Sequence, residues 1–166
     1  LDSEEAHQRV LTGDFDLGVV TRSPGADERI LKETIWRDQL TFVAAHTHPL
    51  AGRKSVTLQH LARHPALLPD RKFLTTRIVE ELFTTQGLKL DIIMSTNYLE
   101  TIKALISVGY GWGVLPEIML ADGSLHRLPT GSLKLFRELD CIRHRDRSLS
   151  RAATCFFELL KENSES

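Results

Sequence analysis

Thr75-Thr76-Arg77 stand where a run with helical periodicity begins. Two hydroxyls, first-turn backbone N–H groups and a guanidinium could there converge on a carboxylate or another small anion. The same residues would also serve as an ordinary helix cap with a solvent-facing arginine, which needs only one of the threonines. Ser95-Thr96-Asn97-Tyr98 closes a strand-like run and opens a further helix, the place where ligands approach the strand ends of open α/β sheets. Asn97 with Glu100 three residues on would equally be a capping box. Thr21, at the end of the apolar run Phe15 to Val20, is a candidate by the same logic. The candidate ligand-binding set is therefore Thr21, Thr75, Thr76, Arg77, Thr96 and Asn97.

Other chemistry finds less support. His46, His48, His60 and His64 cluster in the sequence, and His60 and His64 are spaced to share a helix face, but no nearby cysteine completes a metal site. Pro49 and Pro65 place these histidines near turns, so solvated histidines are expected and no metal is assigned. Gly109, Gly111 and Gly113 fall before and inside a strand, which does not match a dinucleotide fingerprint; close backbone packing is the better reading, and no cofactor is assigned. The basic run Arg143, Arg145, Arg147 is interrupted by Asp146 and reads as a solvated hinge loop. No serine-nucleophile motif or paired-carboxylate constellation stands out, so no residue is assigned to catalysis.

The elements that must position these residues follow from periodicity. Asp2 with Glu5 starts an amphipathic helix through Ala6, Val10 and Leu11, stopped by Gly13. A buried strand over Phe15 to Val20 runs into the loop Thr21-Arg22-Ser23-Pro24-Gly25. Ile30 to Ile35 and Gln39 to Ala45 read as two strands, Val56 to Arg63 as a short helix and Ala66 to Leu68 as a brief strand. The Thr75 helix carries Ile78, Val79, Leu82 and Phe83 on one stripe and ends at Gly87. A strand over Leu90 to Met94, a helix from Asn97 to Gly109 and a strand over Trp112 to Leu115 continue the alternation. Leu139 to His144 reads as a last strand and Leu149 to Lys161 as a last amphipathic helix, with Ala152, Ala153, Phe156, Phe157 and Leu160 on its apolar side. Such alternation argues for an α/β architecture with mainly parallel sheets.

Composition sets the outer bounds. With 166 residues and 42% hydrophobic content the chain can bury a single core or two small linked lobes. Its net charge of -1, with both signs interleaved, supplies no basic face for a phosphate backbone, so this segment is expected to bind DNA poorly. No apolar run reaches the roughly 18 residues of a spanning helix, and Leu1-Asp2-Ser3-Glu4-Glu5 is not a secretory leader. Cys141 and Cys155, placed in a strand and on the apolar side of a helix, fit a reducing cytoplasm better than a disulfide framework.

Three segments, in order, carry a resemblance. Thr12-Gly13-Asp14-Phe15-Asp16-Leu17-Gly18-Val19-Val20, Val43-Ala44-Ala45-His46-Thr47-His48-Pro49-Leu50-Ala51 and Gly109-Tyr110-Gly111-Trp112-Gly113-Val114-Leu115-Pro116 resemble the effector domain of LysR-type transcription regulators. Together with the closing Leu149-Ser150-Arg151-Ala152-Ala153 they span nearly the whole chain. The resemblance implies a type 2 periplasmic-binding-protein-like fold, two α/β lobes joined by two crossover strands with the ligand in the cleft between them. It places the crossings near Ala44 to Pro49 and His144 to Ser148. Lobe one would then be residues 1 to about 46 plus about 146 to 166, and lobe two 47 to 145. It also implies that the Thr75 helix start faces the cleft and that the loop at Thr96 borders the effector.

The strand–helix–strand unit that opens the family's domain, part of its antiparallel dimer, is not found in this sequence, nor is the winged helix-turn-helix. The expected partners are a small anionic or amino-acid-like effector, further copies of the chain as a dimer, or a tetramer in the parent, and DNA only through the parent's helix-turn-helix. A free solute-binding protein is the alternative; a small enzyme on the same fold would need an acid–base pair facing the cleft, which the sequence does not reveal.

Overall fold

The computed structural model describes residues 3–22 and 27–164. Asp2, and Ser23-Pro24-Gly25 of the expected loop, lie outside the described residues. Contacts divide the chain into two compact units, Leu1–Asp38 with Arg137–Ser166, and Gln39–Phe136. The division falls earlier along both connecting segments than the expected crossings.

In the first unit, α1 (Ser3–Thr12) and β1 (Leu17–Thr21) are followed by β2 (Ile30–Ala44), which enters the second unit. The last strand of the chain, β7 (Leu135–His144), returns and leads into α5 (Arg151–Glu162). Alternation along β7 builds two small cores. Ile142 joins Ala6, Val10, Val20 and Ile30 on the α1 side, while Cys141 joins Ile35 and Leu160 on the α5 side. Ser150 caps α5 by accepting the Ala153 N–H. Gly13, at φ +89°, ends α1 in a conformation that an L side chain resists.

Two details of this unit differ from the sequence expectation. β1 pairs antiparallel with β7, Leu17 opposite Arg143 through Thr21 opposite Leu139, because β7 is a returning strand; the expected parallel pairing occurs in the other unit, beside antiparallel pairs. On α5, Cys155 and Phe156 are exposed rather than turned inward, Phe156 by 48%. The inner stripe is set by Phe157 and Leu160, which are one helical face away.

The second unit is a sheet with helices on both faces. Its elements in order are α2 (Leu58–Leu61), β3 (Ala66–Leu68), α3 (Leu74–Thr85), β4 (Ile92–Ser95), α4 (Leu99–Ser107), β5 (Trp112–Pro116), a 3-10 turn over Glu117–Leu120, and β6 (His126–Arg127). β3 lies between β4 and β5 and is parallel to both; β5 and β6 pair antiparallel with β2. Successive residues face opposite sides. Phe42, Ala66, Leu68, Trp112 and Val114 pack with Val79 and Phe83 of α3, while Val43, Leu67 and Leu115 pack with Ile102 and Ile106 of α4. A Cβ on Gly113 would stand 2.7 Å from the Leu67 carbonyl oxygen, so the β3–β5 pairing requires glycine there.

The two strands expected over residues 30–35 and 39–45 are one continuous strand of 15 residues. Trp36-Arg37-Asp38 contains no turn-former, so a polar stretch in the middle of the pattern does not interrupt the backbone. The 3-10 turn and β6 carry no period long enough to be read from sequence.

Candidate functional site

Unit two presents one edge on which three strands end together. Leu68 at the end of β3 is opposite Ser95 at the end of β4, and β5 runs parallel beside them to Pro116. The chain leaves this edge through residues 69–73 into α3, through 96–98 into α4, and through Glu117 into the 3-10 turn. Both helices thus follow the same end of the parallel β3–β4 pair, and they pack on opposite faces of the sheet.

Neither start has a side-chain cap. Phe73 and Tyr98 occupy the cap positions in extended conformation and make no capping hydrogen bond. Asn97 and Glu100 therefore do not form the expected capping box: the helix begins one residue later than that box requires. By contrast α2 has a complete box, with Thr57 Oγ1 accepting the His60 N–H and His60 Nδ1 accepting the Thr57 N–H. First-turn N–H groups without a capping side chain keep the positive end of the helix dipole available to an anion.

The individual candidates take different places on this edge. Thr75 is 7% exposed; Thr76 is fully buried and its hydroxyl donates to the Pro69 carbonyl at 2.8 Å, tying the loop to the helix it precedes. Arg77 is exposed, in the first turn of α3. Thr96 is half-buried, its hydroxyl accepting the Tyr98 N–H at 3.4 Å, and Asn97 is exposed. Thr21 belongs to the other unit, as the last residue of β1, half-buried, with its N–H donated to Ser3 Oγ.

A feature of the same edge that sequence reasoning missed is Glu117. Thr41 Oγ1 donates to its Oε2 at 2.5 Å and Arg127 Nε donates to its Oε1 at 2.7 Å. The Thr41 hydroxyl foremost, and then Arg127, hold its carboxyl below the usual carboxylate range against the opposing cost of burial. A glutamate directly after a strand-ending proline was the available signal. The edge therefore combines two helix starts suited to an anion with one fixed negative charge.

The histidines do other work. Among the described residues no three His, Cys, Asp or Glu side chains are grouped to hold a metal. His46 bonds the Gly123 carbonyl at 3.0 Å. His48, 8% exposed, accepts the Leu50 N–H at Nδ1 and lies edge-on to His64 with ring centroids 4.9 Å apart. Burial, and secondarily His64, hold the His48 pKa below its ordinary 6.5. The native state thus prefers neutral His48 and the unfolded chain binds the proton more readily. Its contribution to stability is full above about pH 6.5 and declines as pH falls below that value. The urea midpoint of unit two, followed by Trp112 fluorescence, is expected to fall between pH 7 and 5.5 and to fall less in His48→Gln. Equal slopes in the two proteins would remove His48 as the cause.

The arginine run is more than a solvated loop. Arg147 donates to the Val10 carbonyl at the end of α1, and the Arg143 guanidinium lies 5.9 Å from the Phe157 ring centre. These contacts hold α1 and α5 to the first unit.

Residues 1–165 match the family described as LysR substrate binding domain. The chain is 32% identical over 161 residues to the uncharacterized HTH-type transcriptional regulator YeiE of Escherichia coli, which covers 95% of the chain and 54% of YeiE. It spans about half the length of the curated relatives it matches. Among solved structures, the regulatory domain of Synechocystis CcmR in complex with 2-PG has a TM-score of 0.84 at 20% identity, over 99% of this chain and 81% of that one. The effector-binding domain of QuiR in complex with shikimate gives 0.85 at 19% identity, over 99% and 79%. The two-lobed periplasmic-binding-protein-like fold is the one this chain shares with them.

Proposed function

Because the chain belongs to the LysR substrate-binding domain family, we propose that it is the effector-sensing part of a DNA-binding transcription regulator. A small anionic or amino-acid-like metabolite binds at the strand-end edge of unit two and, as the family's fold implies, between the two lobes. The observation that carries this reading is the pair of uncapped helix starts, α3 and α4, that follow the same end of parallel β3 and β4. Their N–H groups, with Thr75, Arg77, Thr96 and Asn97, suit a carboxylate or phosphate, while Glu117 suits a hydroxyl or ammonium on the same molecule. That CcmR and QuiR domains of the same fold were solved with 2-PG and shikimate supports a small polar effector. Thr21, at the end of β1 in unit one, is the remaining candidate of the set.

Binding signals only if it favours one arrangement of the lobes over another. The parent reads DNA through a helix-turn-helix outside this chain, works in the cytoplasm and assembles from identical copies. The free edge of β4, where Ile93 and Met94 are 49% and 48% exposed, supports such assembly. No helix among the described residues is long and apolar enough to cross a membrane. Relatives named as HTH-type regulators favour sensing over a free solute-binding role and over catalysis.

Calorimetry with a panel of small carboxylates, phosphates and amino acids, including 2-PG and shikimate, tests the reading. The best ligand is expected to bind Arg77→Ala about tenfold more weakly, the value of one charge-assisted contact. Unchanged affinity would remove Arg77 from the site, and no binding across the panel would remove the sensing role.

A further inference from the structure

β2 and β7 pass through the division between the units without a break, and along a short stretch both strands lack buried side chains. On β2, Ile35 is 3% exposed and Leu40 2%; none of residues 36–39 between them is buried. On β7, Leu135 is 7% exposed and Asp140 1%, and none of residues 136–139 is buried. Trp36 alone of these residues is placed against a core, that of Ile35, Cys141 and Leu160, and only in part. Here the strands are held by more than their backbone. Asp38 and Arg137, the residues of unit one next to the division on each strand, are joined side chain to side chain. Arg137 Nε and Nη2 both donate to Asp38 Oδ2, at 3.0 and 2.8 Å. The side chains are 20% and 26% exposed, less open than the Arg9–Glu5 or Arg29–Asp27 pairs, so solvent screens this pair less.

We infer that the Asp38–Arg137 pair is a hinge staple: it ties the two connecting strands into one ribbon at the edge of unit one and sets how readily that ribbon bends. The inference rests on the sensing role proposed above, in which lobe movement is the signal. A two-stranded ribbon without a fully buried side chain is marginal by itself, so a semi-buried charge pair adds to what the partial burial of Trp36 and the Arg22–Glu138 pair supply. With the staple closed, bending is confined to few residues and the lobes have few arrangements. With it open, the strands move separately and many arrangements become accessible, which weakens any preference an effector can impose.

The test needs no effector. Amide exchange at residues 36–39 and 136–139 is compared in the whole chain, Asp38→Asn, Arg137→Gln and the double variant. Each single change is expected to raise exchange there about fivefold, and the double change no further, since both remove one interaction. Exchange at residues 17–21 and 66–68 stays constant, which separates a loosened hinge from a misfolded protein. A second readout places spin labels on exposed Cys155 and on Gly52→Cys, whose site is open, and measures the spread of distances between them. Broadening in Asp38→Asn is expected. Single variants within twofold of the parent chain, factors that multiply in the double variant, or an unchanged distance spread would overturn the staple. Because ligand is absent from every arm, those results leave effector sensing standing, and an empty ligand panel leaves the staple standing.

Discussion

Trp112→Ala is expected to lower the stability of unit two by about 4 to 5 kcal/mol, the upper range for deleting a buried aromatic ring. Trp112 is fully buried, with its ring stacked on Phe83 at 5.9 Å and 11° and tilted against Phe42 at 5.9 Å. Its Nε1–H donates to the carbonyls of both Leu61 and His64, each at 3.0 Å, so the indole also ties the end of α2 to β5. Removing it leaves a cavity and two carbonyls without that donor. In a domain of ordinary stability, about 5 to 15 kcal/mol, such a loss brings unit two close to unfolding at room temperature. Trp112→Phe keeps the ring stack and loses the donor, so a smaller loss of about 1 to 2 kcal/mol is expected. Urea unfolding followed by circular dichroism measures both. If the alanine variant came within 1 kcal/mol of the parent chain, the three-ring stack would not be the centre of this core.

Arg22→Ala should cost about 3 kcal/mol in unit one, for a different reason: it strands a buried carboxylate. Asp140 is 1% exposed, and Arg22 holds both its oxygens through Nε and Nη2 at 2.9 to 3.2 Å. The same guanidinium reaches Glu138 and Thr34, so one side chain gathers β7 and β2 around the end of β1. The hydrogen bond to Asp140 raises the Arg22 pKa above its usual value, although burial opposes it. Arg22→Lys keeps the charge but not the planar fork and is expected to recover only part of the loss. Asp140→Asn in the Arg22→Ala background removes the stranded charge and should recover stability relative to Arg22→Ala alone. Trp36, half-buried in unit one, reports the transition by fluorescence. An additive double variant would show that the charge pair is not what holds this end of the strand.

Much of the architecture was legible in the residues because it rests on local regularities. The periods of 3.6 and 2 gave the type and order of α1, β1, α3, β4, α4, β5, β7 and α5, and Gly13, Gly87 and Gly109, all at positive φ, mark helix ends where they were expected. Three ordered segments gave the family, since their spacing is a property of the chain alone. What the residues did not show was decided by partners distant in sequence. A polar stretch at 36–39 looked like a break between strands, yet it stays extended within one strand whose neighbour in the sheet is β7, about a hundred positions later. Asn97 and Glu100 had the spacing of a capping box, but α4 begins at Leu99, with Tyr98 at its cap position.

For the candidate site, the sequence by itself determined which residue types stand at helix starts and therefore that an anion could be held. Only the tertiary structure decided that α3 and α4 follow the same end of the β3–β4 pair, that the Thr76 hydroxyl is spent on Pro69, and that Thr41 and Arg127 fix Glu117 at the end of β5. The physical reason is the range of the interactions. Periodicity and turn chemistry act over a few residues, whereas strand pairing and side-chain clamps join positions such as 41, 117 and 127, whose meeting no local pattern encodes.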